Sequence, residues 1–238
     1  MRTRRDPPFA RRRSVGVLAG TIAVGLALVQ CAPAEPPRTP AEPPRVSAES
    51  PPQFSATVHP VTAAELGATW HPGCPVEPSQ LRRVELSHIG FDGRTHLGQL
   101  VVNQDRVPQV IDAFEQLYRI RYPIEKIRTV DHYPGAEDEL SMEDNNTSAF
   151  NCRDIPGRGK WSYHAYGRAV DINPLINPYL DNTGPVQPKN AAMFLDRTRS
   201  DPGMLHDGDP AVRAFTDRGW RWGGRWTSPI DYQHFELP

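Results

Sequence analysis

The chain has 238 residues, of which 38% are hydrophobic and 23% are charged, and its formal net charge is −1. This length suits one domain of ordinary size with appendages, and the modest apolar share indicates that part of the chain lies outside a core. The sequence has no basic stripe with interleaved aromatic residues, which argues against a nucleic-acid partner.

The N-terminus predicts an export signal over residues 1–31. Six arginines precede an apolar stretch at residues 15–29, a pattern typical of a secretory signal. Cys31 follows the letters LVQ and is a candidate for lipidation as in bacterial lipoproteins, whereas the letters APA after it offer an ordinary cleavage site. An uncleaved anchor is less favoured, because fifteen apolar residues are short for a bilayer of ~30 Å. We therefore expect an exported protein, either anchored through an N-terminal lipid or secreted. The three arginines at 11–13 leave both general and twin-arginine export open.

A proline-rich segment follows the signal. Residues 32–53 are rich in Pro, Ala and Glu without apolar periodicity, which predicts an extended, semi-rigid tether or a tail without a length requirement. We assign residues 32–65 to this tether and residues 66–238 to a folded domain. Loss of residues 1–30 removes six arginines and one aspartate, so the formal net charge of the exported part becomes −6.

The folded domain begins with a predicted hairpin. Residues 83–102 alternate apolar and polar side chains on both sides of Asp92-Gly93, a strong hairpin signal. Apolar residues between Val107 and Tyr118 then recur at helical spacing and predict a helix that ends before Pro123.

The later elements are shorter. Residues 126–133 predict a strand, 135–148 a polar loop or short helix, 168–173 a buried strand, 210–220 a second helix and 232–237 a terminal strand. Strands and helices are segregated rather than alternating, which favours an α+β fold with a small antiparallel sheet and flanking helices.

Two cysteines remain after removal of the signal. Cys74 and Cys152 would reach a compartment in which disulfides persist, so we expect them to be bonded. The alternative is two separately buried thiols.

A histidine and an aspartate stand seven residues apart in the stretch SYHAYGRAVDIN, residues 162–173. Gly167 permits a sharp turn of the loop back over the strand, and Asp171 points from that strand towards a position that His164 can reach. A buried carboxylate is costly unless a positive charge meets it. A zinc ion would supply that positive charge, because imidazole nitrogen and carboxylate oxygen are normal zinc ligands.

The C-terminal letters DYQHFELP supply two further groups. His234 can complete a three-ligand set that leaves a fourth position for water, as in catalytic zinc sites. Asp231 precedes it by three residues, close enough to act as a general base without binding the metal.

The two motifs together, S-x-H-x-x-G-x-A-x-D and D-x-x-H-F-E, resemble the M15 family of zinc peptidases. This family comprises D-alanyl-D-alanine carboxypeptidases, D,D-dipeptidases and phage L-alanyl-D-glutamate endopeptidases. The resemblance implies a D,D-peptidase or hedgehog-like fold, Zn²⁺ bound by His164, Asp171 and His234, and Asp231 as the base. It also implies peptidoglycan stem peptides as substrate, with hydrolysis of the terminal D-Ala-D-Ala bond as the preferred activity and L-Ala-D-Glu endopeptidase activity as the alternative.

One departure from the family pattern concerns a cation. Family members usually present an arginine on an earlier strand to bind the substrate carbonyl or the oxyanion, and the strand predicted at 126–133 lacks that arrangement. Arg153, next to Cys152, is our substitute candidate, with a plain salt bridge as the alternative role. Ser162 is expected to orient the ligand loop through a hydrogen bond, although it or Tyr166 could also assist the reaction.

Other hypotheses stay open from the residues alone. The protein could be a non-catalytic binding lipoprotein that keeps the metal, although a retired enzyme would be expected to lose Asp231 or a ligand. It could also hydrolyse a non-peptide amide. We expect a monomer. Trp220, Trp222 and Trp226 of the GWRWGGRW stretch are expected to pack beside the site rather than to stack on a sugar. Six histidines are expected to be surface or core residues: His59, His71, His88, His96, His132 and His206.

Overall fold

The computed structural model describes residues 53–155, 158–181 and 184–238. The predicted export signal, Cys31 and most of the predicted tether lie outside the described residues. The helices are α1 Ala63–Leu66, α2 Val107–Arg119, α3 Asp138–Glu143 and α4 Pro210–Thr216. The strands are β1 Ala56–Pro60, β2 Leu81–Ile89, β3 Thr95–Asn103, β4 Lys126–Ile127, β5 Asn146–Thr147, β6 Asp154–Ile155, β7 Lys160–Trp161, β8 Ala169–Asp171, β9 Tyr179–Leu180, β10 Arg221–Trp222, β11 Ile230–Asp231 and β12 His234–Glu236.

The predicted hairpin is confirmed and is longer than expected. Strands β2 and β3 pair antiparallel from Leu81↔Asn103 to Ile89↔Thr95. The turn passes through Gly93, whose φ of +73° suits a residue without a side chain. Strand β1 joins the other edge of β2 to complete a three-stranded sheet. Because β1 lies before Leu66 and α1 begins before it, regular structure starts earlier than the boundary that we predicted at residue 66.

The predicted helix at residues 107–118 is also confirmed, as α2. Its apolar face buries Val110, Phe114 and Leu117 against the β2–β3 sheet and α4. The ring of Phe114 meets that of Phe215 on α4 edge to face, with centroids 6.0 Å apart. Each large apolar side chain buried in this way stabilises the fold by about 1.5–3 kcal/mol. The core therefore packs α2 against both the hairpin and α4.

A second small sheet has the strand order β10–β12–β8, and all its pairs are antiparallel. Phe235 of the central strand β12 is fully buried and stacks on Phe215 at a centroid distance of 4.2 Å. Val170 of β8, directly opposite Phe235, is buried in the same core. Since side chains alternate along strands, the neighbours of these two residues face the other side of the sheet.

The strand predicted over residues 126–133 is shorter in the structure. Only Lys126–Ile127 form a strand, which pairs parallel with β5, and a 3₁₀ turn follows at Val130–His132. The cause is the side chain of Asn146, which accepts a hydrogen bond from the Arg128 amide at 2.9 Å and donates one to the Arg128 carbonyl at 3.0 Å. These bonds occupy the backbone groups that a longer strand would have paired.

The predicted disulfide between Cys74 and Cys152 is present, with Cα atoms 5.9 Å apart. It packs against a second apolar cluster that includes Leu81, Val101 and Phe150. The structure is thus mixed α and β with small sheets, as the α+β prediction requires. Among the helices of the described residues, none is long and apolar enough to cross a membrane.

Candidate metal centre

His164 is presented by a 3₁₀ turn at Tyr163–Tyr166. The hydroxyl of Ser162 caps this turn by accepting a hydrogen bond from the His164 amide at 3.3 Å. Gly167 ends the turn with φ +65°, and a Cβ at this position would lie 2.5 Å from the Asn103 amide nitrogen of β3. The turn therefore needs glycine both for its backbone conformation and for its close approach to the hairpin.

Asp171 and His234 are brought together by strand register. They are directly paired across the antiparallel strands β8 and β12, so their side chains project from the same face of the sheet. On the other edge of β8, Ser148 and Asp171 exchange two backbone hydrogen bonds of 2.9 and 3.1 Å. The carboxylate is thus held by backbone pairing on both sides of its strand.

Three ligand atoms converge at this point. His164 Nε2 lies 3.1 Å from His234 Nδ1 and 3.1 Å from Asp171 Oδ2, and His234 Nδ1 lies 2.9 Å from Asp171 Oδ1. The three residues are only 2, 4 and 6% exposed for His164, Asp171 and His234 respectively. This set can therefore offer one ligand atom each to a single ion.

Hydrogen bonds behind the two imidazoles fix which nitrogen faces the centre. His164 Nδ1 is 2.5 Å from the Ala149 carbonyl, and His234 Nε2 is 3.3 Å from Glu236 Oε2. Both partners only accept, so these two nitrogens carry protons, and His164 Nε2 and His234 Nδ1 are the atoms that face each other and Asp171. Without protons these two nitrogens and the carboxylate would repel one another, and a metal ion or a proton among them removes the repulsion. The residues therefore fit a zinc site of two imidazoles and one carboxylate.

The pKa values of His234 and Asp171 also favour a positive charge within the cluster. Burial disfavours charge on His234, but its hydrogen bonds to Asp171 and Glu236 outweigh that effect and raise the pKa of His234 to about 10. Burial likewise opposes ionisation of Asp171, yet the imidazoles of His164 and His234 hold the pKa of this carboxyl well below its usual range. Both shifts favour a positive charge beside the ionised Asp171 carboxylate, which a metal ion or a proton on His234 would supply.

Asp231 ends strand β11, which pairs with β9. Its Oδ1 atom is buried and has no hydrogen-bond partner within the part of the chain that the structure describes. Burial is the main cause that raises the pKa of Asp231 to about 7, and the charge of Asp171 adds to it against the opposing effects of the imidazoles and Arg153. A carboxylate with a pKa near neutrality is a stronger base than an ordinary aspartate.

The cluster opens into a cleft of about 680 Å³ that Asp231 also lines. Arg153 lines this cleft as well, where its Nη2 lies 2.7 Å from Asp138 Oδ2 of α3 and its Nε is buried without a partner. The salt bridge considered as its alternative role is therefore present, but it leaves one donor of the guanidinium unused. The structure thus places Asp231, Arg153 and the three residues with convergent ligand-type atoms around one cavity.

Comparison with known proteins gives one finding. Residues 156–237 match the family model described as D-alanyl-D-alanine carboxypeptidase. The matched segment is about a third of the chain and contains His164, Asp171, Asp231 and His234. The matched segment is thus similar to M15 family peptidases. No curated protein and no solved structure gives a significant match.

Several features of the site were not predicted. The segment 146–151 lies directly behind the ligands, since the Ala149 carbonyl holds His164 and Ser148 pairs with Asp171. Glu236 supports His234, and a signal for it existed, because residues two apart in a strand share a face. The polar stretch at 135–148 forms α3, which contributes Asp138 and Met142 to the cleft.

The expectations about aromatic residues hold in part. Trp226 packs beside the site, as expected, with its ring 5.4 Å from that of His234, whereas Trp220 and Trp222 are buried in the core. Tyr166 does not line the cleft and packs instead on the apolar cluster beside the disulfide, whereas Tyr163 does line it.

The other histidines lie away from the three-ligand cluster. His71 lies beside Cys74 and Cys152 in a second group of ligand-type residues, but the disulfide occupies both sulfur atoms. His88 is buried in β2, and burial lowers its pKa to about 4, so it is neutral near pH 7. The expectation that these histidines are surface or core residues agrees with their positions.

Proposed function

We propose that the chain is a zinc-dependent carboxypeptidase that removes the terminal D-alanine from peptidoglycan stem peptides. The observation that carries this proposal is the convergence of His164 Nε2, His234 Nδ1 and the Asp171 carboxylate, with both imidazole protons directed away from the centre. This arrangement stands in the segment that matches the carboxypeptidase family model.

Zinc held by these three residues would make a water molecule acidic at neutral pH and polarise the scissile carbonyl. The chain itself supplies the proton transfer. Asp231 accepts a proton on its carboxylate as water attacks the carbonyl carbon, and it returns a proton to the leaving amine when the C–N bond breaks. Its unpartnered Oδ1 is the atom available for this exchange.

Arg153 supports the choice of a carboxypeptidase over an endopeptidase. A guanidinium in the cleft can bind the free carboxylate at the end of a substrate through charge-assisted hydrogen bonds. It could also stabilise the oxyanion that forms at the carbonyl. The bond to Asp138 holds the side chain in place, and the unpaired Nε leaves a donor for the substrate.

The proposed substrate agrees with the predicted site of action. The sequence predicts export, and the family that the matched segment resembles acts on peptidoglycan. We therefore propose that the enzyme works as a monomer in the cell envelope or outside the cell, either lipidated at Cys31 or secreted.

A single incubation tests the activity. The purified domain, loaded with zinc, should convert a pentapeptide stem ending in D-Ala-D-Ala to a tetrapeptide that mass spectrometry shows to be one alanine lighter. A chelator should abolish the conversion. Release of L-alanine from a muropeptide, with the pentapeptide left intact, would instead establish the endopeptidase. No hydrolysis of either substrate would contradict the proposal and favour a binding protein.

Arg153→Ala should raise KM for the pentapeptide by about tenfold or more, because a charge-assisted hydrogen bond to the terminal carboxylate is lost. A pentapeptide amidated at its C-terminus is the control, since it has no carboxylate to bind. The wild-type enzyme should discriminate against the amide, and the variant should not. Equal discrimination by both proteins would remove Arg153 from carboxylate binding.

A further inference from the structure

Gln233 is a buried polar residue in the cleft to which the proposed reaction assigns no role. It is 2% exposed, and it lies between the proposed base Asp231 and the ligand His234. Its Nε2 donates only to the thioether of Met142 at 3.4 Å, and its Oε1 has no partner. Thioether sulfur is a weak acceptor, so neither end of this carboxamide has a strong partner.

Backbone hydrogen bonding holds Gln233 next to the residues of the candidate metal centre. The Gln233 carbonyl accepts a hydrogen bond from Ile172 at 3.0 Å, next to the ligand Asp171. The chain bends at residues 232–233, between β11 and β12. This bend lets Asp231, Gln233 and His234 all line the cleft.

Three residues of the cleft have a buried polar atom without a partner among the described residues: Arg153 at Nε, Asp231 at Oδ1 and Gln233 at Oε1. Buried polar groups are normally paired, and unpaired ones are costly to the fold. The proposed reaction uses the first two atoms. The third is an acceptor, and its natural complement is an N–H donor of the substrate.

We propose that Gln233 is a substrate-binding residue whose side-chain carbonyl accepts the amide N–H of the residue that supplies the scissile carbonyl. This inference rests on the proposed peptidase function. That N–H is separated from the carbonyl carbon by one Cα atom only, so a side chain adjacent to a ligand residue is suitably placed to meet it. The enzyme would then recognise the backbone of the substrate on the N-terminal side of the cleaved bond, whatever the side chains there.

The first test compares two matched variants. Gln233→Met keeps the length of the side chain and removes its hydrogen-bonding groups, and it should raise KM for the pentapeptide by about tenfold with kcat changed less than about threefold. Gln109→Met is the control, because Gln109 on α2 also has a buried, unpartnered Oε1 but does not line the cleft. The control should keep the wild-type KM. Equal KM values in wild type and Gln233→Met would overturn the inference.

The second test alters the substrate and uses wild-type protein, so it does not depend on how well a variant folds. In a depsipeptide, the N–H in question is replaced by an ester oxygen. Wild type should show about a tenfold higher KM for this substrate than for the amide, and Gln233→Met should show no difference between them. If the ester raised KM by the same factor in Gln233→Met as in wild type, Gln233 and the N–H would act independently, which contradicts the proposed contact. If wild type hydrolyses neither substrate, the proposed function itself fails.

Discussion

Asp231→Asn is expected to keep its zinc and to lower kcat by about 10²–10⁴-fold, the usual contribution of a general base. The amide has nearly the shape of the carboxylate but cannot accept the proton from the attacking water. Zinc content should not fall, because Asp231 is not among the three residues whose ligand atoms converge. The measurement pairs steady-state hydrolysis of the pentapeptide with elemental analysis of the same preparation.

Asp154→Asn serves as the matched control for this change. Asp154 lines the same cleft, but it is exposed and stands apart from the buried cluster. It should keep kcat within a few-fold of wild type. A fall of less than tenfold in Asp231→Asn would show that another group takes the proton, and a loss of zinc would show that Asp231 is a ligand.

The double substitution His164→Ala, His234→Ala should abolish both metal binding and hydrolysis. Wild-type protein purified without chelator should contain about one zinc per chain, because two imidazoles and one carboxylate form a typical catalytic zinc site. The double variant removes both imidazoles, and the Asp171 carboxylate that remains cannot hold the ion alone. Elemental analysis after extensive dialysis gives the comparison.

A second histidine pair controls for non-specific binding of metal. His59 and His132 are exposed and lie outside the cluster, so His59→Ala, His132→Ala should keep one zinc per chain. Equal zinc in wild type and in the His164, His234 variant would mean that the metal binds elsewhere. Asp171→Asn gives an intermediate test, since it should weaken zinc binding while leaving both imidazoles in place.

Local patterns predicted much of the fold. The hairpin at 83–102 and the helix that begins at Val107 each carry their own periodicity, so neighbouring residues suffice to predict them. The two motifs identified His164, Asp171 and His234, because their spacing is specific. The structure brings the three residues together through the pairing of β8 with β12, about sixty residues apart in sequence.

Other features depend on distant groups and could not be predicted from spacing. The Ala149 carbonyl that fixes His164 has no side-chain identity to reveal it. The strand at Lys126 is short because the side chain of Asn146 takes the hydrogen bonds of the Arg128 backbone that a longer strand would use. The sequence of residues 126–133 gives no sign of this contact. Strand β1 was not predicted because it follows a proline-rich segment and has no clear pattern of its own. It forms by pairing with the edge of β2, which is distant in sequence.

The D-x-x-H motif can be grafted onto another protein only together with the bend between β11 and β12. In a straight strand, residues three apart point to opposite faces, so a base and a ligand grafted at this spacing would be separated by the sheet. Here the Trp222 indole donates to the Tyr232 carbonyl at 2.8 Å, and the guanidinium of Arg197 lies 4.2 Å from the centre of the Tyr232 ring. An engineer who moves this motif to another scaffold must therefore move the tryptophan and the arginine with it.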